Sequence, residues 1–319
     1  MTSLDLIVPF LDPIAHLLID PTITEVMVNE GGRRVWIERD GQLSEEEGCQ
    51  LTPALVTQAL VKIARSCGTE VSEDRPILEA RLADGSRIAA VVPPCAVDGP
   101  TLTIRRFGRR YSLVELVRVG AIDVPQFTTL VQAVEDHQNI LISGGTGVGK
   151  TVLLNALAAY IPDQERVAIL EETSELSVQK PNVIRFESRP AEAFDVADHP
   201  RPAVTMRDLL RATLRHRPDR IILGEVRGPE AYDLLQAWNT GHPGSLSTIH
   251  ADSARRGLVK LASLALQAGP NVSPVAIERE VASAVQAVVH LERRGPRRHV
   301  AEIYEVPPRV AAESVAESR

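Results

Sequence analysis

The chain has 319 residues, of which 44% are hydrophobic and 24% charged, and it carries a formal net charge of -7. This composition fits a folded protein long enough for two domains and argues against a fibrous or disordered chain. The acidic balance and the 3% aromatic content speak against a protein that coats nucleic acid.

In chain order, the first thirty residues hold Asp5, Asp12 and Asp20 and neither lysine nor arginine. No signal peptide is therefore expected, and the protein is expected to stay inside the cell. Every apolar run is broken by Asp, Arg or Pro short of the roughly 18 residues that cross a bilayer, so membrane association is expected only through partners. Extended runs at 24–29 and 34–38 around Gly31-Gly32 predict a hairpin. Thr52 caps a predicted helix with apolar Leu55, Leu60, Val61 and Ile63, which ends near Gly68, and strands are expected at 87–92 and 100–105. Cys49, Cys67 and Cys95 form no Cys-x-x-Cys pair, a pattern of reduced thiols rather than of zinc or disulfides.

Residues 1–107 thus form a smaller α+β domain, and 108–123 a linker with a short helix. From 124 to 306 strands alternate with helices, which predicts an α/β domain with a mostly parallel sheet covered on both faces. Strands are expected at 139–143, 166–171, 182–186, 220–224, 245–249 and 299–306, and helices at 149–160, 205–216, 228–240, 253–268 and 273–284. The tail at 307–319 is expected to fray.

Gly144-Gly145-Thr146-Gly147-Val148-Gly149-Lys150-Thr151 matches the phosphate-loop pattern, between an apolar strand and the helix at 149–160, whose first turn carries Thr151 and Val152. Its amides would wrap ATP phosphates, Lys150 would reach the terminal phosphates, and Thr151 would bind Mg²⁺. Arg220-Ile221-Ile222-Leu223-Gly224-Glu225 is a strand that delivers a carboxylate beside that loop. Gly224 stands where an aspartate is usual, and Glu225 is the candidate for polarising the attacking water or holding Mg²⁺ through water. The strand at 166–171 ends in Glu171-Glu172, one a candidate base and the other a candidate metal ligand.

His242 and His250 bracket a loop and a short strand, where a histidine can donate to a γ-phosphate oxygen. Arg207, Arg211 and Arg215 share one helix face, either salt-bridged or in contact with phosphate or another subunit. In the first domain Asp84-Gly85-Ser86-Arg87 and Thr103-Ile104-Arg105 place Arg87 and Arg105 on adjacent strands, expected to face an inter-domain cleft and supply transition-state charge. No Asn-Lys-x-Asp segment reads guanine.

Together these motifs resemble the traffic ATPases of type II and type IV secretion, and most of all the TrbB-type conjugative-transfer ATPases. The segments that carry the resemblance are the phosphate loop, Glu-Glu-Thr-Ser-Glu-Leu at 171–176, Arg-Pro-Asp-Arg-Ile-Ile-Leu-Gly-Glu-Val-Arg-Gly at 217–228, and Gly-His-Pro-Gly-Ser-Leu-Ser-Thr-Ile-His at 241–250. It implies a RecA-like domain behind an N-terminal domain that closes over ATP, a homohexameric ring, and inner-membrane partners of a conjugation apparatus; the acidic balance and few aromatics add the expectation of no stable direct nucleic-acid binding. By the same resemblance Arg105 is an arginine sensor, with Arg87 the second candidate. Glu172 stands where the family has aspartate, so the roles of Glu171 and Glu172 stay open. The rival readings are a nucleotide-dependent scaffold and a nucleic-acid-stimulated motor.

Overall fold

A six-stranded sheet and a seven-stranded sheet divide the chain into two units, Met1–Arg109 and Arg110–Arg319. The computed structural model describes residues 11–39, 41–82, 85–106, 111–189, 202–269, 271–295 and 297–307.

In the first unit a short helix α1 (Ala15–Ile19) leads into β1 (Ile23–Asn29), whose Val26 and Val28 alternate inward. It is followed by β2 (Arg34–Arg39), β3 (Gln42–Glu45), α2 (Pro53–Ser66), β4 (Ile77–Arg81), β5 (Arg87–Val91) and β6 (Thr101–Arg105). The sheet runs β3-β2-β1-β6-β5-β4 with every neighbour antiparallel. α2 starts where the Thr52 hydroxyl accepts from the Leu55 amide, and buries Val56, Leu60 and Ile63 in the unit's core.

The second unit begins with α3 (Leu113–Arg118) and α4 (Val124–Glu135), started by reciprocal capping boxes of Ser112 with Glu115 and Asp123 with Gln126. Residues 111–123, expected within a linker, bury Leu113, Leu116 and Ile122 in this unit's core. The unit continues with β7 (Ile140–Gly144), α5 (Lys150–Ala158), β8 (Val167–Glu171), β9 (Val183–Glu187), α6 (Met206–Thr213) and β10 (Arg220–Val226). Then come α7 (Glu230–Asn239), β11 (Leu246–His250), α8 (Ala254–Ala265), α9 (Pro274–Ala284), β12 (Ala287–Arg294) and β13 (Arg297–Glu305).

The sheet order is β13-β12-β7-β11-β10-β8-β9, parallel except for the β12–β13 hairpin. Both faces are covered. Ile140, Ile142 and Val289 pack with Leu130, Leu153 and Leu157 on one face. Leu141, Ile221 and Val288 pack with Leu210, Leu234 and Leu261 on the other. Double coverage is why these strands read as unbroken apolar runs. It also brings the C-terminal ends of β7, β8, β10 and β11 to one edge, where open parallel sheets place their ligands. Asp84 and the tail beyond Pro307 lie outside the described residues.

Candidate active site at the phosphate loop

β7 is buried along its whole length and pairs in parallel with β11 on one side and β12 on the other, so the loop that follows it springs from inside the sheet. Gly144 turns the chain out with φ +153°, and a Cβ there would come within 2.6 Å of the Leu291 carbonyl oxygen, a distance no side chain tolerates. Gly145, Thr146 and Gly147 are exposed, Val148 tucks into the core, and Gly149 ends the loop in a left-handed conformation as the N-cap of α5. No side chain caps α5, so its first-turn amides face outward as anion donors. Thr151 and Val152 occupy that turn half-buried, and Leu153, Leu154 and Leu157 anchor the helix.

Lys150 is 8% exposed, and its Nζ donates to the Gly144 carbonyl (3.1 Å) and the Gly145 carbonyl (2.8 Å). Burial holds its pKa below the ordinary lysine value, with Glu225 opposing the shift. The His250 ring closes over it, Nδ1 lying 3.3 Å from Nζ. Its Nε2 lies 3.4 Å from the same Nζ and 2.7 Å from Glu225 Oε1. Burial first and Lys150 second depress the imidazole's pKa below its ordinary value, with Glu225 opposing the shift.

Glu225 reaches this position because β10 breaks register between Leu223 and Val226, a bulge that re-aims its side chain. Its Oε2 accepts from Arg227 Nε at 2.8 Å, and Arg227 Nη1 continues the network to Glu172, whose side chain is 51% exposed. Lys150, His250, Glu225, Arg227 and Glu172 therefore form one continuous polar chain along the sheet edge. Sequence reasoning gave Arg227 no part, although its place two residues after Glu225 on extended backbone puts both side chains on one side.

Glu171 does something different. It is 5% exposed, and its Oε1 accepts from the Glu175 amide (2.7 Å) and the Leu176 amide (2.8 Å), fastening the turn that carries Glu172. A Cβ at Gly224 would lie 3.0 Å from Glu171 Cγ, so the missing aspartate side chain leaves the room that Glu171 occupies.

The remaining candidates fall elsewhere. His242 Nδ1 lies 3.0 Å from the Pro218 carbonyl oxygen. Arg207 and Arg211 bind Asp233 at 2.6 and 3.1 Å, which makes their helix face salt-bridged. In the first unit Arg87 and Arg105 are cross-strand partners, with Arg105 Nε 3.4 Å from Glu25. Among the described residues no group of three His, Cys, Asp or Glu side chains could hold a metal ion. No described helix is long and apolar enough to cross a membrane.

A doubly covered parallel sheet with a glycine loop feeding an uncapped helix, and with an acid and a histidine at the same edge, defines a RecA-like phosphate-loop domain. The family model for the type II/IV secretion system protein matches residues 11–311. The chain belongs to that family, one of secretion ATPases. It is 36% identical over 301 residues to the conjugal transfer protein TrbB of Rhizobium radiobacter, covering 92% of this chain and 87% of that one. The VirB11 ATPase of the Brucella suis type IV secretion system, solved with sulphate, is 30% identical with a TM-score of 0.50, covering 95% of each chain. The Legionella pneumophila ATPase DotB has a TM-score of 0.67 at 17% identity, covering 94% of this chain and 81% of that one, and shares the fold.

Proposed function

We propose that the chain hydrolyses ATP as a homohexameric motor that powers assembly of, or substrate transfer through, a conjugative type IV secretion apparatus. The observation that carries the hydrolytic part is the Lys150–His250–Glu225 cluster, which joins lysine, histidine and carboxylate within 3.3 Å contacts at the loop. ATP binds through residues 144–152, with Lys150 leaving its two carbonyl partners for the β- and γ-phosphates. Glu225 accepts the proton of a water that attacks the γ-phosphorus in line; the bond to the β-phosphate oxygen breaks, ADP departs, and the proton ends on inorganic phosphate. His250 donates to the γ-phosphate and reports its loss. Thr151 would hold Mg²⁺, which would supply charge neutralisation on the phosphates.

Glu171 is assigned the organisation of the 171–176 turn rather than base catalysis, and Glu172 is a reserve for Arg227 rather than a direct metal ligand. Arg105, with Arg87 beside it, is proposed as a phosphate sensor on the family's Ile-Arg pattern at 104–105. The kinship with TrbB and VirB11 supports placement at the inner face of the cytoplasmic membrane, held there by membrane components of the apparatus. The test is ATP turnover measured together with mass by light scattering, for wild type and Glu225→Gln. A ring of about six subunits whose turnover collapses in the variant while nucleotide stays bound is the expected result. A monomer with unchanged slow turnover would turn the reading toward a nucleotide-dependent scaffold.

A further inference from the structure

We propose that Arg298, carried by the β12–β13 hairpin, is a further nucleotide-binding residue that contacts the α- and β-phosphates in the loop of its own subunit. This rests on the phosphate-loop reading above and adds to it a residue from the far end of the chain.

β12 runs beside β7 with Leu291 opposite Gly144, so its next residues extend past the point where the phosphate loop begins. The strand continues through Arg293 and Arg294, turns at Gly295, and returns through Arg297 and Arg298 of β13. Leu291 and Val300, paired across the hairpin, are buried in the cluster that includes α5. Two residues nearer the tip on each strand, the paired Arg293 and Arg298 fall on that same face. The placement is borne out at the loop: a Cβ on Gly149 would sit 3.9 Å from Arg298 Cδ, ordinary contact distance. The aliphatic stem of Arg298 thus lies against the N-cap of the helix whose amides receive the phosphates.

Charge points the same way. Arg293 faces Arg298 and Arg294 faces Arg297, which gathers guanidinium groups at the tip of the hairpin, with Arg294 3.8 Å from Glu292. A planar guanidinium suits the oxygens of a diphosphate beside Gly149. ATP and ADP share the α- and β-phosphates, so Arg298 strengthens both equally and governs nucleotide retention rather than the chemical step.

The experiment is ADP binding by titration calorimetry with full-length Arg298→Gln, Arg298→Lys and Arg297→Gln, alongside KM and kcat for ATP. Arg298→Gln is expected to weaken ADP about tenfold, the scale of one charge-assisted hydrogen bond, and to raise KM by the same factor with kcat within about twofold. Arg298→Lys should recover part of the loss, and Arg297→Gln should match wild type. ADP affinity in Arg298→Gln within twofold of wild type overturns the inference and leaves the phosphate-loop reading standing. Wild type that binds no ADP overturns both. A second measurement needs no variant: phenylglyoxal labelling read by mass spectrometry, in which ADP should protect Arg298 and spare neither Arg294 nor Arg297. Equal labelling of Arg298 with and without ADP also refutes the contact.

Discussion

Replacing Glu171 by glutamine separates the two acidic candidates at the sheet edge. Its Oε1 accepts from two amides at 2.7 and 2.8 Å while the side chain is almost wholly buried. A glutamine oxygen keeps both acceptors but without charge. Each bond then falls from about 2 kcal/mol to about 1 kcal/mol, so the predicted loss is about 2 kcal/mol. Glu171→Ala removes both acceptors and leaves two amides to be satisfied, a loss of about 3–5 kcal/mol. Urea unfolding followed by the fluorescence of Trp238, buried in α7 of the same unit, reads both values. Turnover in Glu171→Gln should stay within several-fold of wild type, because the turn it fastens survives. Loss of a general base instead costs about 10²–10⁴ in rate. A hundredfold fall in turnover with an unchanged urea midpoint would refute the structural role and make Glu171 the base.

Glu225→Gln should show the reverse pattern, with turnover down about 10²–10⁴ and ADP affinity by calorimetry near wild type. Lys150→Ala should abolish turnover and weaken ADP at least about tenfold, with the thermal midpoint retained. For pH, the sign follows from His250: its folded pKa is depressed, so the unfolded chain binds the proton more readily. Stability should therefore decline as pH falls from about 7 through the ordinary imidazole value near 6.5, and His250→Asn should flatten that decline in melting curves taken between pH 8 and 5. Arg220 is fully buried, bonded to Glu165 and to the Val134 and Gly244 carbonyls, so Arg220→Met should destabilise the second unit by about 3–5 kcal/mol in the Trp238-monitored urea midpoint.

The parts of the fold that were legible in the sequence are those where local chemistry and burial agree. β7, β8 and β10 read as strands because double coverage requires continuous apolar runs, and the loop between β7 and α5 places glycine at each of its positive-φ positions, 144, 147 and 149. β3 was missed because all four of its residues are exposed and it is held by backbone pairing with β2, which leaves no side-chain pattern to read. β12 was missed for the opposite reason. Its apolar start, Ala287-Val288-Val289, follows Val281, Ala284 and Val285 so closely that helix and strand merge into one hydrophobic stretch. α4 begins at an Asp123–Gln126 capping box, a start signal that the alternation of strands and helices from 124 onward does not by itself reveal.

The site divides along the same line. Motif spacing identifies which residues gather at the loop, since parallel strands bring their C-terminal ends to one edge whatever their separation in the chain. It cannot distinguish Glu171 from Glu172, adjacent carboxylates of identical reach. That distinction arises from backbone: β8 ends with Glu171 facing the cavity left at Gly224, and the following turn offers it two amides, while Glu172 points out to Arg227. Gly224 therefore has a consequence for chemistry. A side chain there would crowd Glu171, whose Cγ lies 3.0 Å from the Cβ position, while the β10 bulge sets Glu225 against His250, the geometry that the proposed general-base role of Glu225 requires.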